Sequence, residues 1–224
     1  MNLVIYTAIS FYKQFLYYEI ICINKNYILK ALNLYNMFMK KNNKPLSNIK
    51  VLDLTHMLSG PYGSMILADL GCEVLKIEPP QKGEGTRRLL ENDPDYSHNG
   101  MGAYFYTLNR NKKSVAIDLK EKKGIEIFYK LVSKADVVLS NFSAGVTKKL
   151  KIDFDVLKRI NPKIITCTVS GFGETGPNFQ RPAFDQIAQA LGGGMSITGL
   201  SAKDPMRAGI PIGDLAGRVN TAQP

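Results

Sequence analysis

The residues with the clearest chemical potential lie between positions 181 and 217. Asp214 stands in the run Gly-Ile-Pro-Ile-Gly-Asp-Leu-Ala-Gly, an apolar setting with glycines on both sides. A solvated surface aspartate rarely needs such neighbours. Gly213 and Gly217 indicate a carboxylate at an element end, approached closely by something else. The plainer expectation from the same residues is an N-cap aspartate opening a helix at Leu215. Asp185 is a second carboxylate in this stretch. The two together admit an Asp–Asp acid/base pair, at a separation that the spacing leaves open.

Other candidates fall at the ends of predicted strands. His56 lies where a ligand would meet it, or is a structural histidine. The turn at Gly60-Pro61 opens a helix whose free N–H groups would suit an anion, or it simply makes the turn. Arg87, Arg88 and Lys120 could pair with phosphates or be solvated. Asn141-Phe142 with Gly145 could hold an adenine or a pantetheine arm, or form a plain turn. Lys148 and Lys149 beside them read as a solvated face or a phosphate clamp. No Ser-His-Asp set or GxSxG elbow is present, which argues against an ordinary hydrolase. The run after the first strand, Leu-Thr-His-Met-Leu-Ser-Gly-Pro, is not GxGxxG, so a nicotinamide cofactor is not expected.

The elements that must position these residues alternate. Strands are predicted at 49–54, 73–78, 114–118, 135–140 and 164–169, from short β-rich runs bounded by turn residues. Helices are predicted at 62–70, with Pro61 in the first turn and Gly71 ending it, and at 122–134, 153–160 and 184–191. Asp153 is the expected N-cap of the third, and Gly192-Gly193-Gly194 breaks the fourth. Residues 81–100 read as a polar loop containing glycine. This alternation predicts an α/β fold, a mostly parallel sheet covered by helices on both faces. Ligands of such sheets sit beyond the carboxyl ends of the strands.

The chain has 224 residues, 45% of them hydrophobic and 21% charged, enough to bury a core. Cys22, Cys72 and Cys167 are odd in number, widely spaced and without a CxxC pair. That excludes a disulfide framework or zinc knuckle and fits a reducing, cytoplasmic setting. With His56 and His98 as the only histidines, no metal site is expected. Residues 1–44 hold six lysines against Glu19, which accounts for half of the net charge of +10. The body is only mildly basic, and no basic stripe is interleaved with aromatics, so nucleic acid is not an expected partner. Residues 1–44 read as an extension outside the fold, with 45–224 as the folded domain. Lys13 and Glu19 interrupt the apolar run well short of about 20 residues, which disfavours a membrane span. The start also lacks the n-region and cleavage site of a signal peptide.

Several motifs in order resemble one known family. PLSNIKVLDLTHMLSGPYGSMILADLGCEVLKIEPP, NRNKKSVAIDLK, ADVVLSNFSAGV, INPKIITCTVSGFGETGP, RPAFDQIAQALGGGMSITG and GIPIGDLAG are similar to class III CoA-transferases. That group contains formyl-CoA transferase, carnitine CoA-transferase and the 2-methylacyl-CoA racemases, and the likeness covers Pro45 to Asn220. The resemblance implies a Rossmann-like large domain that takes coenzyme A or an acyl-CoA as substrate, with no permanently bound cofactor. It places His56, Met57 and Ser59 along the CoA, Ile117 and Lys120 at the nucleotide end, Asn141 and Phe142 at the pantetheine or adenine region, and Lys149 at a phosphate. Pro79 stands where some members carry a CoA-binding arginine. Asp214 falls at the position of the catalytic aspartate. The racemase branch has a histidine where this chain has Phe184, which favours CoA transfer to a carboxylic acid acceptor over racemisation. Family members are about twice this length and form interlocked homodimers. By that measure the chain lacks a second, smaller domain and is a truncated transferase or an inactive CoA-binding fragment.

Overall fold

The computed structural model describes residues 44–201 and 203–216. The expectations for the extension at 1–43, for Cys22 and for Gly217 lie outside them.

The expected parallel sheet is present. β1 (Lys50–Asp53), β2 (Glu73–Glu78), β5 (Lys113–Ala116), β6 (Val137–Ser140) and β7 (Ile165–Thr168) pair in the order β5-β2-β1-β6-β7, every pair parallel. The chain first builds outward from β1 through β2 to β5. It then crosses back to place β6 on the other side of β1. The topological switch point therefore lies between β1 and β6, where open α/β sheets leave a crevice for ligands.

The strands alternate between two cores because successive side chains point to opposite faces. On one face Leu52, Leu54, Ile77 and Val138 pack with Phe128 and Val132 of α3 (Lys122–Val132) and Leu157 of α5 (Phe154–Ile160). On the other, Val51, Val74 and Leu139 pack with Ala68 near the end of α1 (Ser59–Asp69), and with Cys72. Phe128 and Leu157 are fully buried, each stabilising the fold by roughly 2–3 kcal/mol relative to exposure.

Several boundaries differ from expectation. α1 begins at Ser59, three residues before the expected start, and Pro61 stands in its first turn as expected. Asp153 does precede α5, but its side chain makes no capping bond. The segment read as loop contains a 3-10 turn (Gly85–Arg87) and a small hairpin, β3 (Ser97–His98) with β4 (Met101–Gly102), followed by α2 (Ala103–Asn109). A short α4 (Val146–Lys149) follows β6. Beyond β7 lie α6 (Asp185–Leu191), a 3-10 turn (Gly194–Ile197) and α7 (Ile212–Ala216).

Candidate active site

Asp53 closes β1 with a fully buried carboxylate. It accepts hydrogen bonds from the Thr55 N–H at 2.9 Å, the Thr55 hydroxyl at 2.5 Å, the Ser64 hydroxyl at 2.6 Å and Lys112 at 3.0 Å. Lys76, its register neighbour on β2, sits 3.8 Å away and donates to the Thr55 carbonyl at 2.8 Å. Burial drives Asp53 upward, but the two ammonium groups and the hydroxyl donors outweigh it, so the carboxyl lies below its ordinary range. This network fixes the path of residues 54–58. Gly60 is part of the same constraint: a Cβ there would come within 2.4 Å of the Thr55 Cβ.

At the switch point, the Asn141 carboxamide spans from β6 to the β1 loop. Its oxygen accepts the His56 N–H at 2.8 Å, and its nitrogen donates to the His56 carbonyl at 2.7 Å. The His56 ring lies 5.6 Å from that of Phe142. Burial, then the charge on Lys76, lowers its basicity below that of an ordinary histidine. Met57 follows with φ of +66°, a left-handed conformation that costs a non-glycine residue about 1–2 kcal/mol. Glu84 holds it there by accepting its N–H at 2.9 Å. The Met57 side chain is exposed. The Ser59 hydroxyl oxygen is buried and has no hydrogen-bond partner among the described residues.

The structure thus brings His56, Met57, Ser59, Asn141 and Phe142 together beyond the ends of β1 and β6. Ile117 and Lys120 follow β5, two strands from β1 and about 10 Å across the sheet. The Ile117 side chain is buried in the core and its N–H donates to the Glu78 carbonyl at 2.9 Å, so any ligand contact would fall to its carbonyl. Lys120 is exposed, and Lys149 is exposed in the last turn of α4. Arg87 is not free for a phosphate. It forks onto Glu78 at 2.7 Å through both Nε and Nη2 and lies 3.7 Å over the Phe105 ring. Arg88 donates to the Lys82 carbonyl at 3.0 Å.

Asp214 is the third residue of α7, not an N-cap: the first turn closes through the Pro211 carbonyl, which accepts from the Leu215 N–H. α7 packs on α6 and on α1. Gly213 is required by the first contact, because a Cβ there would lie 2.9 Å from the Ala188 Cβ and 3.1 Å from an Asp185 carboxylate oxygen. Asp185 and Asp214, whose separation the sequence left open, are neighbours: Asp185 Oδ1 accepts the Gly213 N–H at 2.8 Å. Burial first, then the Asp185 charge, raises the Asp214 carboxyl above its ordinary range. The Tyr104 phenol of α2 is raised by burial, then by the charges of Asp214 and Glu84.

Glu84, Tyr104 and Gln189 were not legible as site residues. Glu84 had one signal, its place between Gly83 and Gly85 directly after β2, but its complete burial depends on tertiary contacts.

The sequence matches CoA-transferase family III over residues 46–223. The chain belongs to CoA-transferase family III. Within the family, it is 40% identical over 173 residues to the succinyl-CoA:glutarate CoA-transferase of Mus musculus, covering 77% of this chain and 39% of that protein. It is 42% identical over 176 residues to the acetyl-CoA:oxalate CoA-transferase of Acetobacter aceti, covering 78% of this chain and 44% of that one. The crystal structure of a CaiB/BaiF family protein from Brucella suis superposes with a TM-score of 0.71 at 38% identity, over 77% of this chain and 45% of that chain. The chain therefore spans about two fifths of the length of these curated relatives. No helix among the described residues is long and apolar enough to cross a membrane.

Proposed function

We propose that this family III chain transfers CoA from an acyl-CoA thioester to a carboxylic acid, with Asp214 as the covalent nucleophile. The observation that carries this reading is the setting of Asp214. It is partly buried on a glycine-fitted helix, with its basicity raised and no hydrogen bond from any described residue to its carboxylate. A more basic carboxylate is a better nucleophile.

In the first step an Asp214 oxygen attacks the thioester carbonyl carbon. The C–S bond breaks, giving an aspartyl mixed anhydride and CoA thiolate. The thiolate then attacks the aspartyl carbonyl carbon, releasing the donor acid as its carboxylate and leaving an aspartyl-CoA thioester. The acceptor carboxylate attacks that thioester, displacing the thiolate and forming a second anhydride. Attack of the thiolate on the acceptor acyl carbon yields the new acyl-CoA and restores Asp214. Each intermediate is an activated acyl group, so little energy is lost between thioesters. Coenzyme A would lie along His56, Met57 and Ser59 and past Asn141 and Phe142, with Ile117 (through its main chain), Lys120 and Lys149 toward the nucleotide. The relatives' names support acyl-CoA and dicarboxylic acid substrates.

Phe184, at the start of α6, is exposed and cannot move a proton, which weighs against the racemase alternative. Leu191, Ile197, Leu200, Ile210 and Ile212 are exposed with it. This apolar surface supports cover by further chain or by a second protomer, as in a homodimer. The spacing of the cysteines supports a reducing, cytoplasmic setting.

The test is covalent labelling. Incubation of the protein with a radiolabelled acyl-CoA, followed by peptide mapping, is expected to place acyl or CoA label on Asp214, and Asp214→Asn is expected to abolish label and transfer. Full transfer by Asp214→Asn would remove the proposal. CoA binding without label in the wild-type protein would leave a CoA-binding fragment.

A further inference from the structure

The α6 helix presents two buried side chains, Asp185 and Gln189, four residues apart and therefore on one face. Together they hold the segment leading into α7. Gln189 Oε1 accepts the Ala208 N–H at 2.8 Å, and its Nε2 reaches the Ile210 carbonyl at 3.3 Å. The same Nε2 donates to Asp185 Oδ2 at 2.7 Å. Asp185 Oδ1 receives the N–H groups of Gly213 at 2.8 Å and, more loosely, Asp214 at 3.4 Å. Thus 208, 210, 213 and 214 are all tied to one pair of side chains, in a region where most neighbours are exposed.

An aspartate in the first turn of a helix ordinarily interacts with the free N–H groups there, and that interaction makes it less basic. In α7 the Gly213 N–H and, more loosely, the Asp214 N–H are already engaged by Asp185, and the Ile212 N–H by the Ile210 carbonyl. We infer that the Asp185–Gln189 pair is a positioning device: it occupies the backbone donors at the start of α7 and so keeps the Asp214 carboxylate free and oriented for attack. The inference rests on the reading of Asp214 as nucleophile. Its direction agrees with the raised basicity of Asp214, to which the Asp185 charge contributes after burial. Among the described residues, the titratable groups coupled electrostatically to Asp214 are Asp185 on α6 and Tyr104 on α2.

The test uses the protein expressed from its complete gene, with an acyl-CoA donor and a dicarboxylate acceptor. Asp185→Asn removes the charge and sets a carboxamide against that of Gln189. The expected result is a fall in kcat of about 100-fold, the effect of a misplacement near 1 Å, with KM for the acyl-CoA within about 3-fold. The acid limb of kcat/KM should move to lower pH, because Asp214 regains the backbone donors and loses the like charge. The reversed pair, Asp185→Asn with Gln189→Glu, rebuilds the hydrogen bond between the two side chains and is expected to recover part of kcat. Wild-type kcat with an unmoved acid limb in Asp185→Asn would overturn the inference. A fall in kcat that leaves the acid limb in place and is not recovered by the reversed pair would also overturn it, leaving a structural role. If instead Asp214→Asn retains activity, it is the nucleophile assignment that fails.

Discussion

Asn141 meets a demand that only a carboxamide satisfies. It must accept from the His56 N–H and donate to the His56 carbonyl at once. A carboxylate can do the first and not the second. Asn141→Asp is therefore expected to cost about 1–3 kcal/mol of stability, as a carbonyl loses its donor and faces an acceptor. It should also weaken CoA binding, because the β1 loop carrying His56 and Met57 is no longer tied to β6. Urea denaturation and calorimetric titration with CoA check the two effects, and unchanged values in both would contradict the role assigned to Asn141. The sequence placed Asn141 and His56 at strand ends and left each open between a ligand contact and a plain turn. It could not show that they bond to each other, since 85 residues separate them.

At the scale of elements, α7 sits close to α6 because both contact positions are small, Gly213 on one and Ala188 on the other. A methyl at 213 would meet the Ala188 Cβ at 2.9 Å and the Asp185 carbonyl oxygen at 3.0 Å, so α7 must shift. Gly213→Ala is expected to lower kcat about 10-fold or more by moving Asp214, at a stability cost of roughly 1–2 kcal/mol. Adding Ala188→Gly removes the tightest contact and should recover part of the activity; steady-state kinetics on the single and double variants read this out. Gly213, the described one of the two glycines flanking Asp214, does stand at a close approach. The sequence pattern misplaced the helix start because Pro211 closes the first turn, and a five-residue helix has too little periodicity to mark its own beginning. α2 was missed for a related reason. It is seven residues long, follows a hairpin of two-residue strands, and lies beside a loop whose order depends on distant partners.

Across the molecule, Glu78 joins segments that the chain keeps apart. Its carboxylate accepts from Arg87, from the Glu84 N–H at 2.8 Å and from the Ser114 hydroxyl on β5. Burial opposes ionisation, but the Arg87 hydrogen bonds, with those of Ser114 and Glu84, prevail and bring its pKa down from 4.5 to about 2. A lowered carboxylate pKa stabilises the fold above the unfolded value. That contribution is fully present above about pH 4.5 and is lost as pH falls toward 2. Allowing for solvent around the partly exposed Arg87, it amounts to roughly 2 kcal/mol. Acid titration of stability should show this loss between those limits. Glu78→Gln is expected to be less stable at pH 7 and to show a flatter slope below pH 4.5; an unchanged slope would contradict the assignment.

The sequence by itself determined the α/β class, the five strands of the sheet, the strand ends at which the CoA-contacting candidates lie, and Asp214 as the residue to watch. These follow from local periodicity, turn residues and ordered motifs, all of which act within short stretches of chain. Only the tertiary structure decided the strand order that sets the switch point between β1 and β6. It also decided the burial of the Ile117 side chain, the engagement of Arg87 by Glu78, and the capture of the Asp214 helix by Asp185 and Gln189. Those outcomes depend on hydrogen bonds and packing between residues of different elements, from nine to more than eighty positions apart, whose energies are fixed by three-dimensional approach and desolvation rather than by spacing along the chain.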